Sequence, residues 1–193
     1  IDREEENDPN LEYSIDYKKE FDNEDQVLTA NFRYFDNSET EKSNVVETIR
    51  PVDIVMTEEF QKVENNESEA NFHAQLDYVH PFSKKSKFET GIKYEQREID
   101  NDYEVQEKDS TGQYVALPEF TNRFIYDEKI LAVYLLYGGE IGRYSYQAGL
   151  RTEYADINTE LRETEETNNQ NYFDFFPSLH LNYKLTEKDQ LQI

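Results

Sequence analysis

Cysteine is absent from the chain, so it has no disulfide framework, thiolate metal site or cysteine nucleophile. Basic residues are scarce: 20 Lys and Arg face 43 Asp and Glu, for a formal charge of -23. Phosphate recognition needs clustered Lys and Arg, which excludes nucleic acid as a partner. Only six glycines occur, none of them grouped in a phosphate-cradling loop, and no serine sits in a G-x-S-x-G turn. No stretch approaches the roughly 18 to 20 consecutive apolar residues of a membrane helix. The opening segment, Ile1 to Asn10, is acidic rather than signal-like. Tryptophan is missing as well, which leaves the aromatic content to 15 Tyr and 12 Phe.

Those rings amount to 14% of the chain, a share that disordered acidic sequences lack because they cannot bury enough apolar surface to offset ordering entropy. The chain is expected to fold, yet 36% apolar content does not supply a large dry core. The pattern resolves this tension. Leu11, Tyr13, Ile15 and Tyr17 alternate with Glu12, Ser14, Asp16 and Lys18, and the same period of two recurs in Leu28 to Tyr34, Phe72 to Tyr78 and Phe88 to Tyr94. It is cleanest from Tyr144 to Tyr154 and continues from Phe173 to Tyr183. From Phe124 to Tyr137 both parities are apolar, which predicts a strand covered on both sides. A helix over Glu128 to Leu136 is the alternative there, but the β-branched and aromatic residues and a stop at Gly138-Gly139 favour a strand. A last run ends at Ile193.

Four short polar turns join these runs in pairs, for example Asp22 to Asp25, Pro81 to Ser86 and Thr186 to Asp189. Three long acidic connections, 36–69, 99–122 and 156–171, link the pairs. The first carries ten acidic side chains against Lys42, Arg50 and Lys62, and within it Val52, Ile54 and Met56 alternate briefly. Short turns on one side and long loops on the other are the wiring of a transmembrane β-barrel, whose strands need only about 9 to 11 residues to span. The acidity is read as keeping these loops solvated, with basic or polar partners favoured over acidic ones.

Alternation alone also fits a soluble sheet with one buried face. Ring placement separates the two. Tyr17, Tyr78, Phe88, Tyr144 and Tyr183 fall toward the short turns, and Tyr34, Phe72, Tyr94, Tyr154 and Phe173 toward the long loops, with aliphatic residues such as Ile15, Ala74, Ile92 and Leu150 between. Two girdles around an aliphatic band mark a lipid-facing surface. The missing tryptophan, a common girdle residue, counts against this assignment, and the connection lengths outweigh it. The expected fold is all-β: an antiparallel up-and-down transmembrane β-barrel, represented here by about eight strands of a larger one.

Three phrases carry a family resemblance: Tyr126-Asp127-Glu128-Lys129-Ile130, Ser145 to Tyr154 (SYQAGLRTEY) and Asn171 to Leu179 (NYFDFFPSL). Together they resemble the barrel of TonB-dependent outer-membrane receptors, in the outer-membrane-barrel subgroup of Gram-negative bacteria, and the likeness extends more loosely back to about Asn10. The resemblance implies a barrel of about 22 strands. It also implies an outer-membrane location, ligand capture by outer loops, a plug domain in the lumen, and import driven by the TonB complex. Residues 1–193 are then expected to form part of one barrel domain, with plug, energy-coupling motif and signal peptide absent from this chain. A nonenzymatic receptor that imports an unidentified ligand is the expected function. An outer-membrane adhesin or surface-binding barrel without transport, and a soluble secreted β-domain, are the alternatives.

The polar parity supplies the candidate site. Arg33, His73, Asp77, Glu89, Lys93, Glu95, Arg151, Glu153 and His180 are expected to face the lumen, where Arg33, Lys93 and Arg151 either form a charge lattice with Asp77, Glu89, Glu95 and Glu153 that stiffens the wall and grips a plug, or are simply hydrated. No catalytic residue, metal or cofactor is expected. His73, His80 and His180 are isolated in sequence, and Asp100, Asn101, Asp102 and Glu104 lack the glycine and terminal glutamate of a calcium loop.

Overall fold

A computed structural model describes residues 3–23, 25–49 and 57–193, which form one antiparallel sheet. Its strands are β1 (Arg3–Asn7), β2 (Asn10–Glu20), β3 (Val27–Ile49), β4 (Thr57–Ser83), β5 (Ser86–Lys108), β6 (Tyr114–Ala116), β7 (Asn122–Ile141), β8 (Tyr144–Leu161), β9 (Glu166–Lys184) and β10 (Gln190–Gln192). Both β1 and β2 pair with β3, so they act as one strand interrupted at Asp8-Pro9. Proline cannot donate to the ladder there, and its carbonyl instead accepts from the Ser38 amide at 3.1 Å. Sheet order then follows chain order through β3, β4, β5, β7, β8, β9 and β10, with β6 added beside β5. This up-and-down meander contains every alternating run among the described residues as a strand.

The short turns lie where the sequence puts them. Lys84-Lys85 closes β4 onto β5, with the Lys85 amide donating to Ser83 Oγ at 3.1 Å. Gly142, at φ 64°, closes β7 onto β8, a backbone conformation that glycine adopts without steric cost. Thr186 Oγ1 accepts from the amides of Lys188 and Asp189 and so holds the last turn. The expected stop at Gly138-Gly139 is corrected: β7 runs on to Ile141, and a Cβ at Gly139 would lie 2.7 Å from the Tyr146 hydroxyl, so that ring packs over the glycine.

Among the described residues the long acidic connections are mostly sheet rather than loop, with non-strand segments at 109–113, 117–121 and 162–165. Strands β3 and β4 stay in register from Val27↔Val79 to Ile49↔Thr57, β5 and β7 from Ser86↔Gly139 to Tyr103↔Asn122, and β8 and β9 from Tyr144↔Tyr183 to Leu161↔Glu166. At about 3.3 Å per residue, the 23 residues of β3 span roughly 75 Å, more than twice a hydrocarbon core of about 30 Å. Backbone hydrogen bonding does not depend on side-chain polarity, so the ladder continues where alternation is lost. The Val52, Ile54 and Met56 alternation, Arg50, and Glu24 of the first turn lie outside the described residues.

Packing is that of a single layer. Among the described residues Val105, Ala132 and Ala155 are the buried apolar ones, and no polar residue is buried. The apolar parity stands open instead: Ile15 is 65% exposed, Leu135 48% and Phe175 62%. The expected two-sided cover of β7 is therefore corrected. Ala132 is enclosed on one face, while Leu131, Val133, Leu135 and Tyr137 lie open on the other. A sheet with this much exposed apolar surface needs lipid or another layer against it.

Candidate functional site

Register sorts the side chains into two faces. On one, the rungs Tyr17↔Ala30↔Leu76↔Ile92↔Val133↔Thr152↔Phe175 carry apolar residues from strand to strand. On the other, Arg33↔His73↔Glu95, Asp77↔Gly91↔Tyr134↔Arg151 and Lys93↔Ala132↔Glu153 form successive polar rungs. Glu89, paired with Val79, and His180, paired with Gln147, share that second face. All nine candidate residues thus occur on one side of the sheet.

The bonds among them differ from a continuous lattice. Lys93 Nζ reaches Glu95 Oε1 at 2.8 Å, Lys87 reaches Glu89 at 2.6 Å, and Arg151 pairs with Glu153, each pair lying two residues apart on one strand. Such pairs do not tie strands together. Two contacts do. His73 Nδ1 lies 3.1 Å from Glu95 Oε1 across β4 and β5, and the Tyr134 hydroxyl donates to Asp77 Oδ1 at 2.6 Å, two strands away. Gly91 lies between Asp77 and Tyr134, and its missing side chain lets the tyrosine ring lie flat across β5. Gln75 Nε2 donates to the second Asp77 oxygen at 2.8 Å. Among the described residues Arg33 and His180 make no side-chain hydrogen bond or ion pair. Sequence reasoning missed Tyr134, grouped with the apolar parity of β7, and the signal that could have found it is Gly91 among charged neighbours on the hairpin rung opposite it.

Two rows of rings bound the apolar band. At the short-turn end the contacts run Phe21–Tyr78 (6.3 Å), Tyr78–His80 (6.1 Å), His80–Phe82 (5.0 Å), Phe82–Tyr137 (6.2 Å) and Tyr137–Tyr146 (6.1 Å). Tyr144–Tyr183 continues the row at 4.7 Å. His80, isolated in sequence, belongs to this row. At the other end Phe72 packs edge-on against Phe32 at 5.0 Å and against Tyr94 at 5.8 Å. Edge-to-face pairs of this kind contribute about 0.5–1.5 kcal/mol each beyond area burial.

Beyond the second ring row the paired hairpins are tied by ions. Arg123 grips Asp100 with two parallel bonds, Nε to Oδ1 at 2.8 Å and Nη2 to Oδ2 at 2.6 Å. That guanidinium holds the Asp100 carboxyl below the usual aspartate range. Lys42, 3.0 Å from Glu64, acts likewise on that glutamate together with the Asn66 amide. Arg97 Nε donates to Glu69 at 2.7 Å. No group of three or more metal-ligating side chains occurs among the described residues.

A model of the outer membrane protein β-barrel family matches residues 19–193. The chain belongs to that family. Its sheet is accordingly a section of outer-membrane β-barrel, the open apolar face is the lipid-facing one, and the ring rows are its interfacial girdles. No curated protein matches the chain. Among solved structures it is similar to the siderophore receptor PiuA from Acinetobacter baumannii, with TM-score 0.65, 14% identity, and coverage of 96% of this chain and 31% of PiuA. It is also similar to the ferric-catecholate import receptor Fiu from E. coli K12, with TM-score 0.57, 9% identity, and coverage of 97% and 32%. At these identities the likeness is one of fold, and the chain spans about a third of the length of each structure.

Proposed function

We propose that residues 1–193 form part of the barrel wall of a TonB-dependent outer-membrane receptor, which binds a ligand at its outer hairpins and imports it without chemical conversion. The observation that carries this reading is the charged face opposite the lipid-facing one. Arg33, His73, Asp77, Glu89, Lys93, Glu95, Arg151, Glu153 and His180 would be expelled from hydrocarbon and fit a hydrated or plugged lumen. Long, charged side chains on β3, β4, β5 and β8 of that face need a wide barrel, and the two receptors with similar folds are about three times as long. The roles of those two receptors, siderophore reception and ferric-catecholate import, support the receptor class for this chain. In the full-length protein the polar face then meets a plug domain, and the TonB complex supplies the energy.

The test is uptake in a Gram-negative host expressing the full-length protein. Accumulation of the cognate ligand is expected to depend on both this gene and the TonB complex. Ligand binding at the cell surface without accumulation would replace the reading with that of a surface-binding barrel.

A further inference from the structure

The two faces exchange character beyond the outer ring row. Below it, the lipid-facing parity is apolar and the opposite parity charged. Above it, the former continues as Asp36↔Ala70↔Glu98↔Asp127, while the latter gathers Ile99, Tyr103, Phe124, Tyr126, Ile157 and Leu161. Ile99 pairs with Tyr126, and Phe124 with Leu161, so these side chains are contiguous across β5, β7 and β8. Among the described residues every strand is paired edge to edge in this one sheet, and Tyr103 is 39% exposed.

The surrounding charge is one-sided. Over 35–45, 61–71, 97–107 and 122–128, the same face carries Glu39, Glu41, Glu67, Glu69, Glu107 and Glu128 against one base, Arg97, which is bound to Glu69. Lys42 and Arg123 are on the opposite face, held by Glu64 and Asp100, and Lys62 lies there over the Tyr114 ring at 4.1 Å. Among the described residues of that face, an anionic metal chelate meets carboxylates with Arg97 as the one base, already bound to Glu69. A cation with an apolar body meets both its complements.

We propose that this apolar patch with its acidic surround is a docking surface for a cationic amphipathic ligand, represented by a short peptide of basic and aromatic residues, and that it disfavours anionic ferric chelates. This rests on the receptor reading, because it assigns the ligand class of the same outer hairpins. Rings and aliphatic side chains take the apolar groups, and the carboxylates pair with ammonium or guanidinium groups.

The experiment is titration calorimetry on the detergent-solubilised full-length receptor, with a Lys-Phe-Lys tripeptide and an anionic ferric catecholate as probes at two salt concentrations. The tripeptide is expected to bind more tightly than the chelate and to weaken as salt rises. The paired change Glu67→Gln and Glu128→Gln is expected to weaken it about tenfold, as is Tyr126→Ala. Glu160→Gln, on the opposite face, should leave it unchanged, and heat-modifiable mobility verifies that each variant is folded. Absence of tripeptide binding at millimolar concentration, tighter binding of the chelate, or indifference to the paired change would overturn the proposal. Energy-dependent uptake of some other solute alongside any of those results would leave the receptor reading standing, whereas cation binding without uptake would remove that reading and keep this one.

Discussion

Replacing Gly91 with alanine puts the main cross-strand tie of the polar face under direct stress. The added Cβ would stand 2.8 Å from Tyr134 Cζ, and closer still to Tyr134 Cε1 and Asp77 Oδ1. Neither neighbour is free to retreat without loss, because the Tyr134 hydroxyl reaches Asp77 at 2.6 Å only by lying across this position. If the ring lifts, a hydrogen bond to a carboxylate worth about 1.5–3 kcal/mol is lost. If it stays, overpacking costs about 1–3 kcal/mol. Alanine returns roughly 0.5–1 kcal/mol of backbone entropy in a strand, so the net loss is about 1–2 kcal/mol. The assay is the urea midpoint of the full-length barrel, read as the folded fraction by unheated gel mobility. A double-mutant cycle isolates the mechanism: in a Tyr134→Ala background the ring is gone, and Gly91→Ala should cost almost nothing or stabilise. Equal losses in both backgrounds, or no loss in the wild type, would refute this account of Gly91.

Three further outcomes are expected. Leu76→Arg, on the lipid face and 44% exposed in this sheet, should lower barrel stability by about 2–4 kcal/mol, while Gln75→Arg, one residue away on the polar face beside Asp77, should be nearly neutral; equal folding yields would contradict the face assignment. Because Arg123 depresses the Asp100 pKa, their bond contributes fully above the ordinary aspartate value of about 3.9 and is lost as pH falls through the lower folded-state value. Both groups are over a third exposed, so the contribution is small, and Arg123→Ala should speed amide exchange in the outer part of β7 at neutral pH but add nothing further in strong acid. On the proposed receptor reading, Arg151→Ala should loosen a plug docked in the lumen, seen as faster proteolysis of that domain; unchanged protection would count against a gripping role for this face.

What could be read from the sequence follows from where solvent constrains it. Between the ring rows lipid requires one parity to be apolar, and there the runs Leu11 to Tyr17, Phe88 to Tyr94 and Tyr144 to Tyr154 identified strand, register and face together. Above the rings water bathes the hairpins, and 36–45 or 99–107 carry polar groups on both parities. Nothing in a single strand of that kind distinguishes it from a loop, yet its partner supplies the same backbone ladder. The side-chain network was hidden for another reason. Pairing two residues apart on a strand satisfies Lys93 and Arg151 locally, so a lattice inferred from shared parity overstates their reach across the sheet. The long-range tie comes from Tyr134, 57 positions from Asp77, whose hydroxyl is invisible in a hydrophobicity pattern. Once β5 and β7 are aligned by their hairpin register, the glycine on a face otherwise made of Glu89, Lys93 and Glu95 marks where a ring must cross. Gly91 therefore locates Tyr134 where hydropathy does not, whereas Gly149 on the same face is crowded by other groups: a Cβ there would meet Ser178 Oγ at 2.7 Å, with Leu136 closer still.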